Sequence, residues 1–117
     1  MRNFKEPKVW QKAHQLVLAV HRDLSAFPAS KRLGLTAHLR KTGRSIPSNI
    51  AEGCGRQSER ELARFLGIAA GSTSELEYQL LLAHDLGYLP DNSFQLLTEQ
   101  VGDVRRMPMP FSAISRG

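Results

Sequence analysis

From Ser58 to Leu86 the chain can run as one uninterrupted helix of about 29 residues, ~43 Å at 1.5 Å per residue. Its seam is Leu62, Phe65, Ala69, Ser72, Leu76, Gln79 or Leu80, Ala83 and Leu86, in near-heptad steps that favour shallow, coiled-coil-like crossings. Ser58 and Glu61 have capping-box spacing at its start. The small residues Ala69-Ala70-Gly71-Ser72 at its centre let a neighbouring helix come close. A helix of this length must bury its seam against others, and the rest of the chain supplies three.

The first is expected over 8–26, with apolar residues at Val9, Ala13, Leu16, Val20, Leu24 and Phe27 making one buried stripe. Pro7 is tolerated in its first turn, and Pro28 ends it. A polar connection over 29–34 leads to the second helix, expected over 35–53, with a stripe of Leu35, Leu39, Gly43, Ile46 and Ile50. Pro47 crowds the carbonyl of Gly43, so a kink is expected there. Gly53-Cys54-Gly55 stops this helix, with glycine as a left-handed cap. Gly87 and Pro90 end the third helix. Asp91 then caps a fourth, over 92–106, with Phe94, Leu97, Val101 and Val104 as its stripe. No segment alternates like a strand. The expected architecture is all-α, an antiparallel up-down-up-down four-helix bundle over 1–106 with a loose tail over 107–117. Leu80, Leu81 and Leu82 point three ways around their helix, further than one core stripe covers. Either the helix is central, or Leu81 and Leu82 meet a second subunit.

The single cysteine rules out an internal disulfide and Cys-rich zinc sites. The basic N-terminus lacks a signal-peptide apolar stretch, and no window spans a bilayer, so a cytoplasmic protein without membrane contact is expected. Charge is uneven. Residues 1–60 hold 12 Lys+Arg against 4 Asp+Glu, a net of +8; residues 61–117 hold 4 against 7, a net of −3. Such asymmetry suits a polyanion or electrostatic pairing between chains.

The basic candidates are Arg40, Lys41 and Arg44, with Arg56 and Arg60 nearby in sequence. Arg40 and Arg44 are four apart and share a helix face, able to neutralise phosphates without reading sequence. No aromatic residues interleave with them, so base stacking is not expected. The alternative is an ordinary solvated face, or arginines paired with glutamates between subunits. Asn49 and Glu52, with Ser72 and Glu75 of the third helix, are expected to form a buried polar network rather than an active carboxylate site. Cys54, between two glycines, reads as a small packed residue rather than a reactive thiol. His14, His21, His38 and His84 are scattered, and the Glu-x-x-His of di-iron bundles is absent, so no metal or cofactor is expected. Trp10 is either an interface anchor or a lid on the core. No nucleophile, base and orienting group assemble, so catalysis is not expected.

The run Ser45-Ile46-Pro47-Ser48-Asn49-Ile50-Ala51-Glu52-Gly53-Cys54-Gly55-Arg56 is distinctive. So are Arg64-Phe65-Leu66 with Ala69-Ala70-Gly71-Ser72 and Glu75-Leu76-Glu77, Val9-Trp10-Gln11-Lys12-Ala13, and Phe27-Pro28 with Gly34-Leu35. Together, over about residues 4–106, they resemble the bacterial four-helix-bundle family named for proteins encoded in intervening sequences of 23S ribosomal RNA genes. The family's last helix usually runs further than Met107-Pro108-Met109-Pro110 allows here. The resemblance implies a ring-like homopentamer, which would cover the extra apolar face of the third helix. Distant relatives with the same bundle are accessory proteins of diversity-generating retroelements that bind nucleic acid and a reverse transcriptase. The expected function is therefore a non-enzymatic accessory platform holding structured RNA or DNA by its phosphates. The alternative is a protein–protein scaffold with no nucleic-acid role.

Overall fold

The computed structural model describes residues 2–25 and 29–108, with the backbone alone for 29–33. Four helices follow in order: α1 (Lys8–Leu24), α2 (Ala29–Cys54), α3 (Glu59–Asp85) and α4 (Asp91–Arg106). No strand occurs among the described residues. α1 packs on α2 and α4, and α3 packs on α2 and α4, while among the described residues the backbones of the diagonal pairs do not come close. The four helices thus surround one core.

The apolar stripes form that core. Val9, Ala13, Leu16, Val20 and Leu24 of α1 are all buried, joined by Ala19. α3 buries Leu62, Leu66, Ala69, Thr73, Leu76, Leu80 and Ala83, while α2 adds Leu39, Ile46 and Ile50. This corrects the expected seam: strict alternation of four and three keeps one line toward the core, so Leu66 and Thr73 are buried where Phe65 and Ser72 are half-buried, and Leu86 is exposed. α4 contributes only Leu97, Val101 and Val104. Each fully buried Leu or Ile is worth roughly 1.5–3 kcal/mol relative to exposure.

Four local expectations are corrected. The polar stretch 29–34 is the first turns of α2 rather than a connection. Ala, Lys, Arg and Leu are strong helix formers, and cooperative propagation carries the helix through Gly34. Neither Gly53 nor Gly55 adopts positive φ; among the described residues only Gly87 does. α2 ends instead in tightened bonds, Gly55 N–H to Ala51 and Glu52 O and Arg56 N–H to Gly53 O. Gly53 serves close approach. A Cβ there would lie 2.9 Å from Leu62 Cδ1, 3.2 Å from Phe65 Cβ and 3.3 Å from Leu62 O. Only half the capping box forms. Ser58 Oγ accepts from Glu61 N–H at 3.1 Å, but the Glu61 carboxylate turns to Arg56 at 3.8 Å. Finally, Pro90 occupies the N-cap of α4, and Asp91 spends its carboxylate on His84 Nε2 at 2.5 Å.

Gly87, at φ +81°, ends α3 in a Schellman motif, with Tyr88 N–H bonding Ala83 O at 3.0 Å and Gly87 N–H bonding His84 O at 2.9 Å. α2 runs through Pro47 without ending. The expected proline stop after α1 and the last residue of its expected stripe, Phe27, fall on 26–28, outside the described residues, as does the expected loose tail beyond Pro108.

Candidate nucleic-acid interface

α2 turns Lys41, Arg44, Ser48 and Glu52 outward, three or four residues apart on one face. Lys41 and Arg44 are exposed, and neither has a carboxylate within ion-pair reach among the described residues. Arg40 is half-buried, and its Nε, shielded from solvent, has no acceptor. The other arginines of this region differ. Arg56 lies 3.3 Å from Glu52 and 3.8 Å from Glu61, and its guanidinium sits 4.9 Å over the Phe65 ring. It also stands twelve residues from Arg44, roughly 18 Å along the chain at helical rise. Arg60 is exposed in the first turn of α3. The five basic candidates therefore do not form one patch. Arg40, Lys41 and Arg44 cluster; Arg56 is neutralised and Arg60 stands apart.

Beside the cluster runs an open groove of about 330 Å³ between α1 and α2, lined by Phe4, Trp10, His14, Val17, Arg44, Pro47, Ser48 and Ala51. The rings are already in mutual contact. Phe4 meets Trp10 edge-on, with centroids 5.0 Å apart, and His14 stacks on Trp10 at 5.1 Å and 11°. Hydrogen bonds hold the leading segment over the end of α2. Arg2 N–H reaches Cys54 O at 3.3 Å, and Gln11 Nε2 donates to Lys5 O at 2.9 Å. This corrects the expectation that no aromatic residues accompany the basic face. They come from α1 and the segment before it, some thirty residues away in sequence. The available signal was the i, i+4 pair Trp10 and His14, set off the buried stripe.

The buried polar network also has different members. Ser45 Oγ and Ser72 Oγ are 2.8 Å apart, and Asn49 Nδ2 donates to Ser45 O at 2.7 Å and Ser45 Oγ at 2.9 Å. Ser45 is the hub that joins α2 to α3. Glu52 and Glu75 are outside it. Glu52 is exposed and paired with Arg56, and Glu75 is exposed and accepts from Gln79 Nε2 at 3.1 Å. A carboxylate so close to solvent gains more from water and a neighbouring cation than from burial.

Trp10 is half-buried in the groove wall, Leu82 is half-buried and Leu81 is 45% exposed. Trp10 and Leu81 lie at different ends of the molecule. Trp10 is beside Ala51, near the level of Phe65, and Leu81 is sixteen residues further along α3, roughly 24 Å. Cys54 is buried, and that burial pushes its thiol pKa up, with Arg2 opposing weakly. It is a packed residue, and its burial disfavours the thiolate form. His21 hydrogen-bonds Val17 O through Nδ1 at 3.0 Å. His84 sits between Asp85 and Asp91 and stacks on Phe94 at 4.3 Å. No cluster of three or more metal-ligating side chains occurs among the described residues, and no helix of theirs is long and apolar enough to cross a membrane.

The family model of the 23S rRNA-intervening sequence proteins matches residues 5–109. The chain belongs to that family. Among solved structures it is similar to a protein of unknown function from the S23 ribosomal protein family of Bacteroides thetaiotaomicron VPI-5482. The two superpose with a TM-score of 0.78 at 20% identity, over 84% of this chain and 92% of the other. At that identity the likeness shows the fold alone. No curated protein sequence matches the chain.

Proposed function

We propose that this member of the 23S rRNA-intervening sequence family is a non-enzymatic accessory platform that holds structured RNA or DNA by its backbone phosphates, in the cytoplasm. The observation that carries the reading is the cation cluster Arg40, Lys41 and Arg44, without a carboxylate partner among the described residues, where Arg56, Arg105 and Arg106 are each paired. Its architecture in this reading is an antiparallel up-down-up-down bundle. The contacts Ser45 with Ser72 and Gly53 with Leu62 support opposed α2 and α3, and Glu77 with Arg105 and His84 with Phe94 support opposed α3 and α4. The bundle assembles as a ring-like homopentamer, and the exposed Tyr78 and Leu81, three apart on α3, suit a subunit contact.

The test is binding to unrelated structured RNA and duplex DNA across a salt series, beside the Arg40/Lys41/Arg44→Ala variant, with mass followed by light scattering. Three phosphate contacts give a log–log salt slope near −2.7 per protomer, roughly a 40-fold loss from 50 to 200 mM. The variant should lose binding and keep its mass. A parent that stays unbound at low salt overturns the reading in favour of a protein–protein scaffold, for which the same exposed Tyr78 and Leu81 would be the docking face.

A further inference from the structure

We propose that the groove between α1 and α2 accepts an unpaired nucleobase whose neighbouring phosphates rest on Arg44 and Lys41. The inference rests on the phosphate-binding reading above and assigns what that surface selects: single-stranded, looped or bulged nucleic acid rather than continuous duplex.

Three properties of the groove carry it. Its walls are chemically divided. Phe4, Trp10 and His14 make an aromatic side, and Arg44 brings an unpaired cation to the other. A site for phosphate alone has no use for three rings, and a site for an apolar side chain has no use for the guanidinium. A nucleotide presents both a flat π-face and an anion within one residue, and single-strand binding surfaces combine the same two elements. The rings are also set in advance. Trp10 is in contact with the edge-on Phe4 and the stacked His14, and the Gln11-to-Lys5 hydrogen bond anchors the segment that carries Phe4. Little side-chain entropy remains to be lost on binding. Finally, the space is real and small. The α2 wall is Pro47, Ser48 and Ala51, whose short side chains leave the gap open. Its volume of about 330 Å³ lies at the lower end of the roughly 300–1,000 Å³ found for small-molecule sites. A base inside a duplex is stacked on both faces and cannot enter; an unstacked one can.

Trp10 is the only tryptophan in the chain, so its emission reports occupancy of the groove. The experiment titrates the full chain at low salt with a thymidine dodecamer and with an abasic dodecamer of equal phosphate count. The thymidine strand should shift or quench Trp10 emission saturably and bind roughly 5- to 150-fold tighter than the abasic strand, the range of one base–aromatic stack. Ser48→Leu, which fills the gap from an exposed helix position, should bring the thymidine strand down to the affinity of the abasic one. His14→Ala, at another exposed position, should weaken the thymidine strand alone and avoids the folding risk of removing Trp10. Equal binding of both strands with unchanged emission overturns the groove assignment while the phosphate reading stands. No binding of either strand overturns the groove assignment, and the structured-RNA and duplex titration above then decides the phosphate reading. Emission that follows protein concentration and ignores both strands means that a second copy fills the groove, and overturns the proposal.

Discussion

Replacing Gly53 by alanine sets two effects of known sign against each other. In a helix interior Gly→Ala gains roughly 0.5–1 kcal/mol, because glycine loses more backbone freedom on folding. At Gly53 the added methyl would stand 2.9 Å from Leu62 Cδ1, 3.2 Å from Phe65 Cβ and 3.3 Å from Leu62 O. Leu62 Cδ1 ends a side chain and can rotate away. The Phe65 Cβ and the Leu62 carbonyl are part of the α3 framework and yield only if the helices separate. Overpacking of this kind costs typically 1–3 kcal/mol. The net expectation is a loss of about 1 kcal/mol. Gly34→Ala is the control, since Gly34 is exposed within α2 and a Cβ there meets nothing within 4 Å. Gly53 is the penultimate residue of α2, where the helix gain is smaller than at Gly34, so the difference between the two variants sets an upper limit on the crowding, expected at about 1–3 kcal/mol. Urea unfolding followed by circular dichroism, at matched protein concentration, measures it. Gly34→Ala should raise the midpoint and Gly53→Ala should lower it at unchanged slope. If Gly53→Ala proves as stable as Gly34→Ala, the close approach of α2 and α3 does not constrain residue 53, and the reasoning fails.

Two further outcomes concern the core of α3 and the polar contacts at the start of α4. Leu76, fully buried in the middle of α3, should cost about 2–5 kcal/mol as Leu76→Ala, read by the same unfolding curves. The pKa of His84 is raised above 6.5, chiefly by its hydrogen bond to Asp91 with Asp85 adding to it against partial desolvation. A raised folded-state pKa gives stability that is full below the unfolded value and is lost as pH rises through the folded one. The parent should therefore lose stability as pH climbs from 6.5, and Asp91→Asn should flatten that slope in melts across pH 5–9. An unchanged slope would mean that His84 is not the titrating group.

The helices were legible because their apolar residues recur at steps of three and four, although in α3 the seam that packs includes Leu66 and Thr73 where Phe65 and Ser72 were expected, and it ends before the exposed Leu86. Where legibility failed, either local preferences were misweighed or chain-distant partners decided the outcome. The start of α2 was obscured by Gly34, whose local cost is outweighed by strong formers on both sides. Glu52 was assigned to the interior, yet Arg56 lies four residues on, at the spacing of a surface ion pair. Ser45 was visible only as part of a motif, and its role as hub depends on Ser72, brought opposite by the register of α2 and α3. The groove was invisible for the same reason. Phe4, Trp10 and His14 acquire meaning beside Arg44 only after α1 has folded onto α2.

The two outer helices are fastened by different forces. α1 is held by six buried apolar residues along its whole length. α4 has three, and its ends are tied by exposed polar contacts. Asp91 holds His84 at one end; at the other, Arg105 takes both Glu77 oxygens at 3.2 Å. Contacts of that kind are screened by salt and, through His84, released by alkali. Heat and denaturant act on the whole core at once, whereas ionic strength and pH address α4 selectively. Local opening of the molecule therefore has a direction: α4 lifts first, while α1, α2 and α3 stay packed.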